Sequence, residues 1–383
     1  MRRPFYQRDK AIAERDRAIA ESDALRAALQ TLEATDRTYW WRHRSGKRTA
    51  GTSGVTGRST ADDASLVARI IAAYRTASGT ALGDQSSVWL SSTKHSIHDA
   101  LMSREAETVV APMLRDPGSN MLFYGFDNLS SGTRDSNQIW DNTHHVRVYD
   151  DLLRLSEAVG VQRLEYPEAP ETRPAPDPEV ILRELDTAFG FTIRFPNPYP
   201  DEVGLKSSRG VASYRAMQGL YQAYRIAELV RDRPNARVLE IGGGLGRTAF
   251  YAWQFGLHDY TLIDLPMTNV AQAYFLGRAL GPDAISLFGE DRSGIQIQPP
   301  AAFLDAADRY DLVVNVDALP EMAAETATAY CRAIKARADI FLSINHEYND
   351  LTVREICAGL SMRAESRMPY WLRRGYVDEV FRP

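Results

Sequence analysis

The spacing of apolar residues divides the sequence into a mainly helical first part and an alternating second part. After Asp62 and Asp63, apolar residues recur at 66, 67, 70, 71 and 74, which is the spacing of one helix face behind an acidic first turn. Similar patterns predict helices around residues 97–102 and over 142–159. We therefore expect a mainly helical auxiliary domain over residues 61–200.

Beyond residue 235, short apolar runs alternate with helical patterns, which is typical of a parallel α/β sheet. An amphipathic helix over 214–230 precedes this region, which we take as a domain spanning residues 201–383. The predicted strands are 237–241, 259–263, 284–288, 311–316 and 338–344. The predicted helices between and after them are 247–256, 267–280, 319–336 and 350–360. Two strand-like pieces around Arg373 to Gly375 predict a closing antiparallel hairpin.

The first 60 residues have a different character from the rest of the chain. Residues 8–14 and 15–21 repeat one another, and a period of seven continues to Leu32. We predict a helical extension over residues 1–41, either a coiled coil for self-association or a solvated helix, since the seam is poor in Leu and Ile. Residues 42–60 are small, polar and basic, which is typical of a flexible linker.

Composition and charge exclude several classes of function. Of the 383 residues, 44% are hydrophobic and 25% charged, as in globular chains, and the formal charge of −5 gives no general attraction to nucleic acid or anionic membrane. We expect neither a membrane span nor a signal peptide, because no apolar run reaches membrane-spanning length and the first residues lack the apolar core of a signal peptide. Its two cysteines, Cys331 and Cys357, lie in apolar helical patterns and predict buried thiols in the cytoplasm.

A glycine-rich turn joins the first predicted strand of the sheet to a helix, in the order Val238-Leu-Glu-Ile-Gly-Gly-Gly-Leu-Gly-Arg-Thr248. A phosphate-binding P-loop would end in Gly-Lys-Ser/Thr, which this turn lacks. The dinucleotide pattern does fit at Gly244, Gly246 and Ala249, with Asp264 about 20 residues beyond. However, Glu240 would repel a pyrophosphate and attract an ammonium group. The pattern Glu240-x-Gly-x-Gly-x-Gly246 resembles motif I of class I S-adenosylmethionine (SAM) methyltransferases, which implies that Glu240 and Gly242, Gly243, Gly244 and Gly246 bind the methionine part of SAM.

The carboxyl ends of the other predicted strands supply further candidates, because ligands bind there in such sheets. Asp264, followed by Leu265, is either a helix N-terminal residue or the acceptor for both ribose hydroxyls. Glu290 and Asp291 follow the third predicted strand and are candidates for adenine contact. Asn315 ends the fourth and is a further candidate at the cofactor.

The catalytic candidates are His346, Asp317 and Glu347, at the ends of the fourth and fifth predicted strands. A methylated hydroxyl must lose its proton, and an imidazole with a pKa near 6.5 is suited to accept it at neutral pH. We expect His346 to be the base, with Asp317 either the rival base or the group that orients it. No metal is assigned, although these residues with Glu321 are an alternative divalent-ion site.

Five blocks of the sequence carry a narrower resemblance. They are Val238 to Gly246, Tyr260 to Pro266, Asp311 to Met322 (Asp-Leu-Val-Val-Asn-Val-Asp-Ala-Leu-Pro-Glu-Met), Phe341 to Glu347 (Phe-Leu-Ser-Ile-Asn-His-Glu) and Pro369 to Tyr376 (Pro-Tyr-Trp-Leu-Arg-Arg-Gly-Tyr). Together they resemble a bacterial family of sugar O-methyltransferases associated with surface polysaccharide biosynthesis. The resemblance implies a Rossmann-like class I methyltransferase sheet, SAM as the methyl donor, and a sugar hydroxyl, on a nucleotide sugar or a glycan, as the acceptor.

Two rival functions stay open from the sequence. One is O-methylation of a non-sugar secondary metabolite, and the other is a non-catalytic scaffold that keeps the SAM fold. Arg373 and Arg374 are either surface charges or contacts to a substrate phosphate. The expected partners are a sugar substrate and, through the N-terminal helix, a second copy of the chain, with no nucleic acid and no membrane span.

Overall fold

The computed structural model describes residues 63–78, 95–117, 122–123, 137–164, 176–199, 202 and 204–383, together with residues 17, 19, 20, 22–24 and 26. The last seven are helical and exposed. The predicted self-association through the repeat and the linker at 42–60 lie outside the described residues. Chain contacts separate a unit of residues 49–162 and 178–383 from one of residues 1–48 and 163–177, and all elements below belong to the former.

The apolar spacing predicted the first, second and fourth of the helices described below, whereas the third and fifth were not predicted. Each of these helices places apolar side chains in the core. They are α1 (Ala64–Ser78), α2 (His95–Met102), α3 (Ala106–Arg115), α4 (Asn137–Val159) and α5 (Pro178–Phe189). A short hairpin of β1 (Leu205–Ser207) and β2 (Gly210–Ala212) follows, and then α6 (Tyr214–Leu229), which Ser213 caps by accepting from the backbone N–H of Ala216. These described helices lie in the same compact unit as the sheet.

The rest of the chain builds an eight-stranded sheet with helices between its strands. The order along the chain is β3 (Val238–Ile241), α7 (Arg247–Gln254), β4 (Tyr260–Ile263), α8 (Pro266–Ala279), β5 (Ile285–Leu287), β6 (Ile295–Gln298), α9 (Ala301–Leu304), β7 (Tyr310–Val316), α10 (Ala324–Arg337), β8 (Ala338–His346), α11 (Val353–Gly359), β9 (Arg363–Pro369) and β10 (Tyr376–Arg382). In space the order is β5-β6-β4-β3-β7-β8-β10-β9. The first six strands of this order pair in parallel, and β9 and β10 pair antiparallel.

This topology confirms the predicted α/β sheet and its closing hairpin. Two details differ from the prediction. The strand β6, at Ile295–Gln298, was missed, and it lies between β4 and β5. The helix predicted over 319–336 is instead a 3₁₀ turn at Leu319–Glu321, followed by extended residues and then α10, and Pro320 lies in that turn.

The core lies on both faces of the sheet. On one face, Leu239, Ile241, Ile263 and Phe341 pack with side chains of α10 and α11, including the buried, unbridged Cys331 and Cys357. Since successive side chains of a strand point to opposite faces, Glu240 lies on the other face, where α6 packs against α7. This alternation places the carboxyl group of Glu240 in the layer between the sheet and these two helices.

A buried ionic cluster ties α1 and α3 to α8. Asp63 is 1% exposed and accepts hydrogen bonds from Arg115 (2.5 and 3.0 Å), Tyr274 (2.9 Å) and Arg278 (3.2 Å). Burial alone would raise the pKa of Asp63, but the hydrogen bonds from Arg115 and Tyr274 outweigh it, so the pKa is lowered. The cluster therefore stabilises the fold above the ordinary pKa of Asp63, and this contribution is lost as the pH falls through its folded value.

Replacing Asp63 with asparagine should destabilise the protein, because it removes the buried carboxylate that Arg115 and the almost buried Arg278 both contact. We expect a loss of about 3 kcal/mol in the free energy of unfolding at pH 7. Urea denaturation measures it. The exposed pair of Glu365 and Arg382 supplies the control, since Glu365→Gln should change this free energy by less than about 0.5 kcal/mol. Equal effects of the two substitutions would contradict the role of the cluster.

Candidate active site

A cavity of about 220 Å³ opens at the carboxyl ends of β3, β4 and β7. Of the residues predicted from the sequence, seven line it: Glu240, Gly242, Gly243, Gly244, Asp264, Leu265 and Asp317. The remaining six, Gly246, Glu290, Asp291, Asn315, His346 and Glu347, are not among its lining residues. The wall opposite the sheet comes from the first turns of α6 and α7, and α10 contributes Thr326 and Tyr330.

The glycine turn is shaped by backbone angles that only glycine adopts readily. Gly242 has φ of 74°, and a Cβ there would lie 2.2 Å from the Cβ of Ala318, so a side chain would collide with the loop after β7. Gly246 has φ of 87° and precedes the first residue of α7, although it does not itself line the cavity. The turn therefore brings backbone and the N-terminus of α7 to the cavity without intervening side chains.

Glu240 is the buried carboxyl group of the cavity. It is 2% exposed, and its Oε2 accepts a hydrogen bond of 2.8 Å from the hydroxyl of Tyr260. Burial raises the pKa of Glu240 to about 7, although the hydrogen bond from Tyr260 acts in the opposite direction. Among the described residues, no arginine or lysine offsets the effect of burial on this carboxyl group. A cationic ligand in the cavity would therefore stabilise the ionised form of Glu240.

Asp264 follows β4 and presents a carboxylate to the same cavity. Its Oδ1 accepts from the backbone N–H of Leu265 at 2.8 Å, and its Oδ2 accepts from Nε2 of Gln272 at 2.9 Å. The two contacts fix the orientation of the carboxylate. Because each carboxylate oxygen has two lone pairs, both can still accept from a ligand hydroxyl.

Glu290 and Asp291 are placed away from the cavity, and the missed strand is the reason. Because β6 lies between β4 and β5, the loop after β6 reaches the cavity through Pro300, while the loop after β5 lies farther out. Glu290 instead accepts two hydrogen bonds from Arg69 of α1, at 2.7 and 2.8 Å. The side chain therefore joins α1 to the sheet edge.

Asn315 has a structural position beneath the cavity. It is fully buried, its Nδ2 donates to the carbonyl of Ile241 at 2.9 Å, and its Oδ1 accepts from the N–H of Leu319 at 3.3 Å. These bonds hold the end of β3 against the turn after β7. Asn315 thereby positions the glycine turn without lining the cavity.

Asp317 carries the most constrained carboxylate at the cavity. Its φ is 60°, an uncommon angle for a residue with a Cβ, and its backbone N–H donates to Oδ1 of Asn345 at 2.9 Å. The carboxylate accepts from the hydroxyl of Tyr376 at 2.7 Å and from Nη1 of Arg373 at 2.8 Å. Burial and the bond to Asp317 raise the pKa of Tyr376, so this hydroxyl stays protonated. Arg373, a candidate phosphate contact, is engaged by Asp317 instead.

His346 and Glu347 lie behind this carboxylate. Nε2 of His346 is 3.8 Å from Oδ1 of Asp317, and its Nδ1 faces the backbone N–H of Tyr348 at 3.2 Å. If Nδ1 accepts that N–H, the ring proton is on Nε2 and faces Asp317. Glu347 forms a two-bonded ion pair with Arg367, and this hydrogen bonding lowers the pKa of Glu347. The histidine expected to be the base therefore faces Asp317, and Asp317 alone of the three lines the cavity.

Polar residues on α6 complete the wall, and sequence reasoning missed them. Arg215, Gln218 and Gln222 line the cavity at a spacing of three and four residues, which is one face of the helix. Thr248 donates to Oε1 of Gln222 at 2.6 Å, and Nε2 of Gln222 donates to Tyr370 at 3.1 Å. The signal that could have identified these three residues is their spacing of three and four positions, which places them on one face of the predicted helix.

Three further observations concern a metal site, the residues after α5 and membrane-spanning helices. Across the part of the chain that the structure describes, no group of three or more His, Cys, Asp or Glu side chains is placed to hold a metal ion. Residues 191–199, which follow α5, do not line the cavity. Phe191 packs on Phe189 and Phe255 there. Within the described ranges, no helix is both long and apolar enough to cross a membrane.

Comparison with known proteins gives likeness of structure only. No family model matches the chain, and no curated protein matches its sequence. Among solved structures, it is similar to magnesium protoporphyrin IX methyltransferase from Synechocystis PCC 6803 with bound SAM, at 16% identity and a TM-score of 0.31, over 43% of this chain and 81% of that one. It is also similar to 1,6-didemethyltoxoflavin-N1-methyltransferase from Burkholderia thailandensis, at 18% identity and a TM-score of 0.31, over 43% of this chain and 77% of that one. A third similar structure is the glycopeptide N-methyltransferase MtfA, at 15% identity and a TM-score of 0.33, over 43% of this chain and 90% of that one. This likeness concerns the fold and assigns neither a reaction nor a substrate.

Proposed function

We propose that this chain is a SAM-dependent O-methyltransferase that transfers a methyl group to a sugar hydroxyl, on a nucleotide sugar or a glycan. The observation that carries the proposal is that Glu240, a buried carboxyl group with no cationic partner among the residues that the structure describes, lines the same cavity as Asp264 and Asp317. The sugar as acceptor rests on the resemblance of the sequence blocks described above.

The cavity residues fit the chemical groups of SAM. Glu240 would bind the methionine ammonium, whose charge stabilises the ionised carboxylate at a site where burial opposes it. Asp264 would accept the ribose hydroxyls with its oriented carboxylate. Gly242, Gly243 and Gly244 leave room for the cofactor to approach the backbone. When bound, SAM supplies an electrophilic methyl group on a sulfonium.

The acceptor would lie beside Asp317. As the acceptor oxygen takes the methyl group from the sulfonium, which would leave as the neutral thioether, a carboxylate oxygen of Asp317 would accept the hydroxyl proton. Tyr376 and Arg373 hold that carboxylate in place, and Nε2 of His346 lies 3.8 Å from its Oδ1. The chain's contribution is positioning together with proton removal.

The test is transfer of a radiolabelled methyl group from SAM to a panel of nucleotide sugars, glycans and phenols. We expect labelling of at least one sugar substrate, and loss of that labelling in Asp317→Asn. Labelling of phenols alone would refute the sugar acceptor and would favour the metabolite O-methyltransferase. Binding of SAM without labelling of any acceptor class would favour the scaffold.

A further inference from the structure

We propose that Arg215 and Gln218 of α6, together with Arg147 of α4, form a subsite for an anionic group, a phosphate or a carboxylate, carried by the acceptor. The inference rests on the proposed function and further specifies that the acceptor substrate carries a negative charge. Arg215 and Gln218 line the cavity.

Arg215 is held in place at the start of α6. Its Nε donates to the hydroxyl of Tyr214 at 3.1 Å, and its Nη1 donates to Oε1 of Gln218 at 3.3 Å. Its charge also lowers the pKa of Tyr376, against the burial that raises it, so the guanidinium acts on the residue that bonds to Asp317. Contacts place α6 and α4 against the segment that carries Arg373 and Tyr376, since Gln222 of α6 donates to the hydroxyl of Tyr370 at 3.1 Å and Arg154 of α4 donates to the carbonyl of Trp371 at 3.3 Å.

Gln218 supplies an unused donor beside this cation. Gln218 is only 3% exposed, and its Oε1 accepts a hydrogen bond from Arg215. Its Nε2 has no hydrogen-bond partner among the described residues. A buried N–H donor without a partner is unfavourable, because it has lost its hydrogen bonds to water. A ligand oxygen would remove this cost, and an anionic oxygen would also interact with Arg215.

Arg147 adds a second positive charge nearby. The guanidinium carbons of Arg147 and Arg215 lie 4.3 and 5.1 Å from the centre of the Tyr214 ring, so the two cations share one aromatic side chain. Asp151, one turn along α4 from Arg147, is buried, and burial raises its pKa to about 7. Asp151 therefore offsets the charge of Arg147 only in part at neutral pH. Two neighbouring cations repel each other, and a bound anion would relieve that repulsion.

The methionine carboxylate of SAM is the other anionic group that could occupy this subsite. The packing of α4 and α6 favours the acceptor, because both helices bond to the segment whose Arg373 and Tyr376 hold Asp317. The proposed contacts to SAM, Glu240 and Asp264, belong instead to β3 and the end of β4. The two sources predict different effects on the binding of S-adenosylhomocysteine (SAH), which carries the methionine carboxylate but no acceptor.

The test is calorimetric titration of the full chain with pyrophosphate and, separately, with glucuronate, each with and without saturating SAH. We expect one of the two anions to bind, and Arg215→Gln to weaken it about tenfold or more. Arg215→Lys keeps the charge and should retain most of the affinity, while Gln218→Met should cost about threefold to tenfold. The charge-matched control is Arg363→Gln on the edge strand β9, where neither anion nor SAH binding should change.

The outcomes separate the subsite from the proposed function. SAH affinity within about threefold of wild type in Arg215→Gln, with weakened anion binding, supports the acceptor subsite. A loss of SAH affinity as large as the loss of anion affinity would overturn it, because the donor carboxylate would then be the ligand. Failure of both anions to bind a protein that binds SAH would overturn the subsite alone. Failure of SAH to bind would refute the proposed function, whereas the titration without SAH still decides the subsite.

Discussion

Replacing Glu240 with glutamine is expected to weaken SAH binding by about a hundredfold, because the ammonium group loses its only proposed carboxylate partner in a buried site. The substitution keeps the size of the side chain and an oxygen that can accept from Tyr260. The dissociation constant, measured by calorimetry at pH 8 where the carboxylate is ionised, is the readout.

The same substitution should stabilise the protein without ligand. Burial raises the pKa of Glu240 from 4.5 to about 7, so the folded state holds a proton that the unfolded chain releases between these values. Stability therefore falls as the pH rises from about 4.5 to 7, by roughly 3 kcal/mol for this group. Glutamine removes that penalty, and the variant should unfold at higher urea than wild type at pH 8.

Glu290→Gln is the matched control for this pair of effects. Glu290 is bound by Arg69 outside the cavity, so its neutralisation should leave SAH affinity within about twofold of wild type. A comparable loss of SAH affinity in both variants would contradict the assignment of Glu240 and would restore Glu290 as a cofactor contact.

Replacing Asp317 with asparagine is expected to lower methyl-transfer turnover by about a hundredfold to a thousandfold while SAH affinity holds within about threefold. Asparagine fills the same space and can still accept from Tyr376, but it cannot take the hydroxyl proton. Turnover is measured with saturating SAM and the best acceptor of the panel, and SAH affinity by calorimetry on the same preparation.

Two controls separate Asp317 from its neighbours. Glu347→Gln breaks an ion pair outside the cavity and should leave turnover within about twofold. His346→Ala should reduce turnover by about tenfold, since the histidine acts through Asp317. A larger loss in His346→Ala than in Asp317→Asn would contradict the assignment of the base and would favour His346.

The glycine turn and the strands that meet there were predictable because their signals are local. A buried strand reads as an apolar run, and a turn that needs positive φ reads as glycine, so the positions of Glu240 and Gly242 followed directly. Asp264 was placed at the cavity for the same reason, since it ends a strand that was predicted within one residue of its observed bounds.

The errors arose where position depends on pairing between strands. Only four residues long, β6 lacks an apolar run, since Ile295 and Ile297 alternate with glutamines. Missing it moved the predicted adenine contacts one strand too close to the centre. At the end of β8 the sequence located His346 correctly but could not give the direction of its ring, which depends on Tyr348 and Asp317. The polar stripe of α6 escaped because the helix precedes the glycine turn and is brought to it only by packing.

Calorimetric titration of the wild-type chain with SAH at pH 6 and pH 8 tests the central claim most directly. We predict binding at one site, tighter at pH 8 and accompanied by proton release at pH 6, because the ammonium group must draw Glu240 into its ionised form. The dependence can reach about tenfold per pH unit below 7. A folded protein that gives no heat with SAH at either pH, or that binds it equally at both without releasing a proton, would contradict the account.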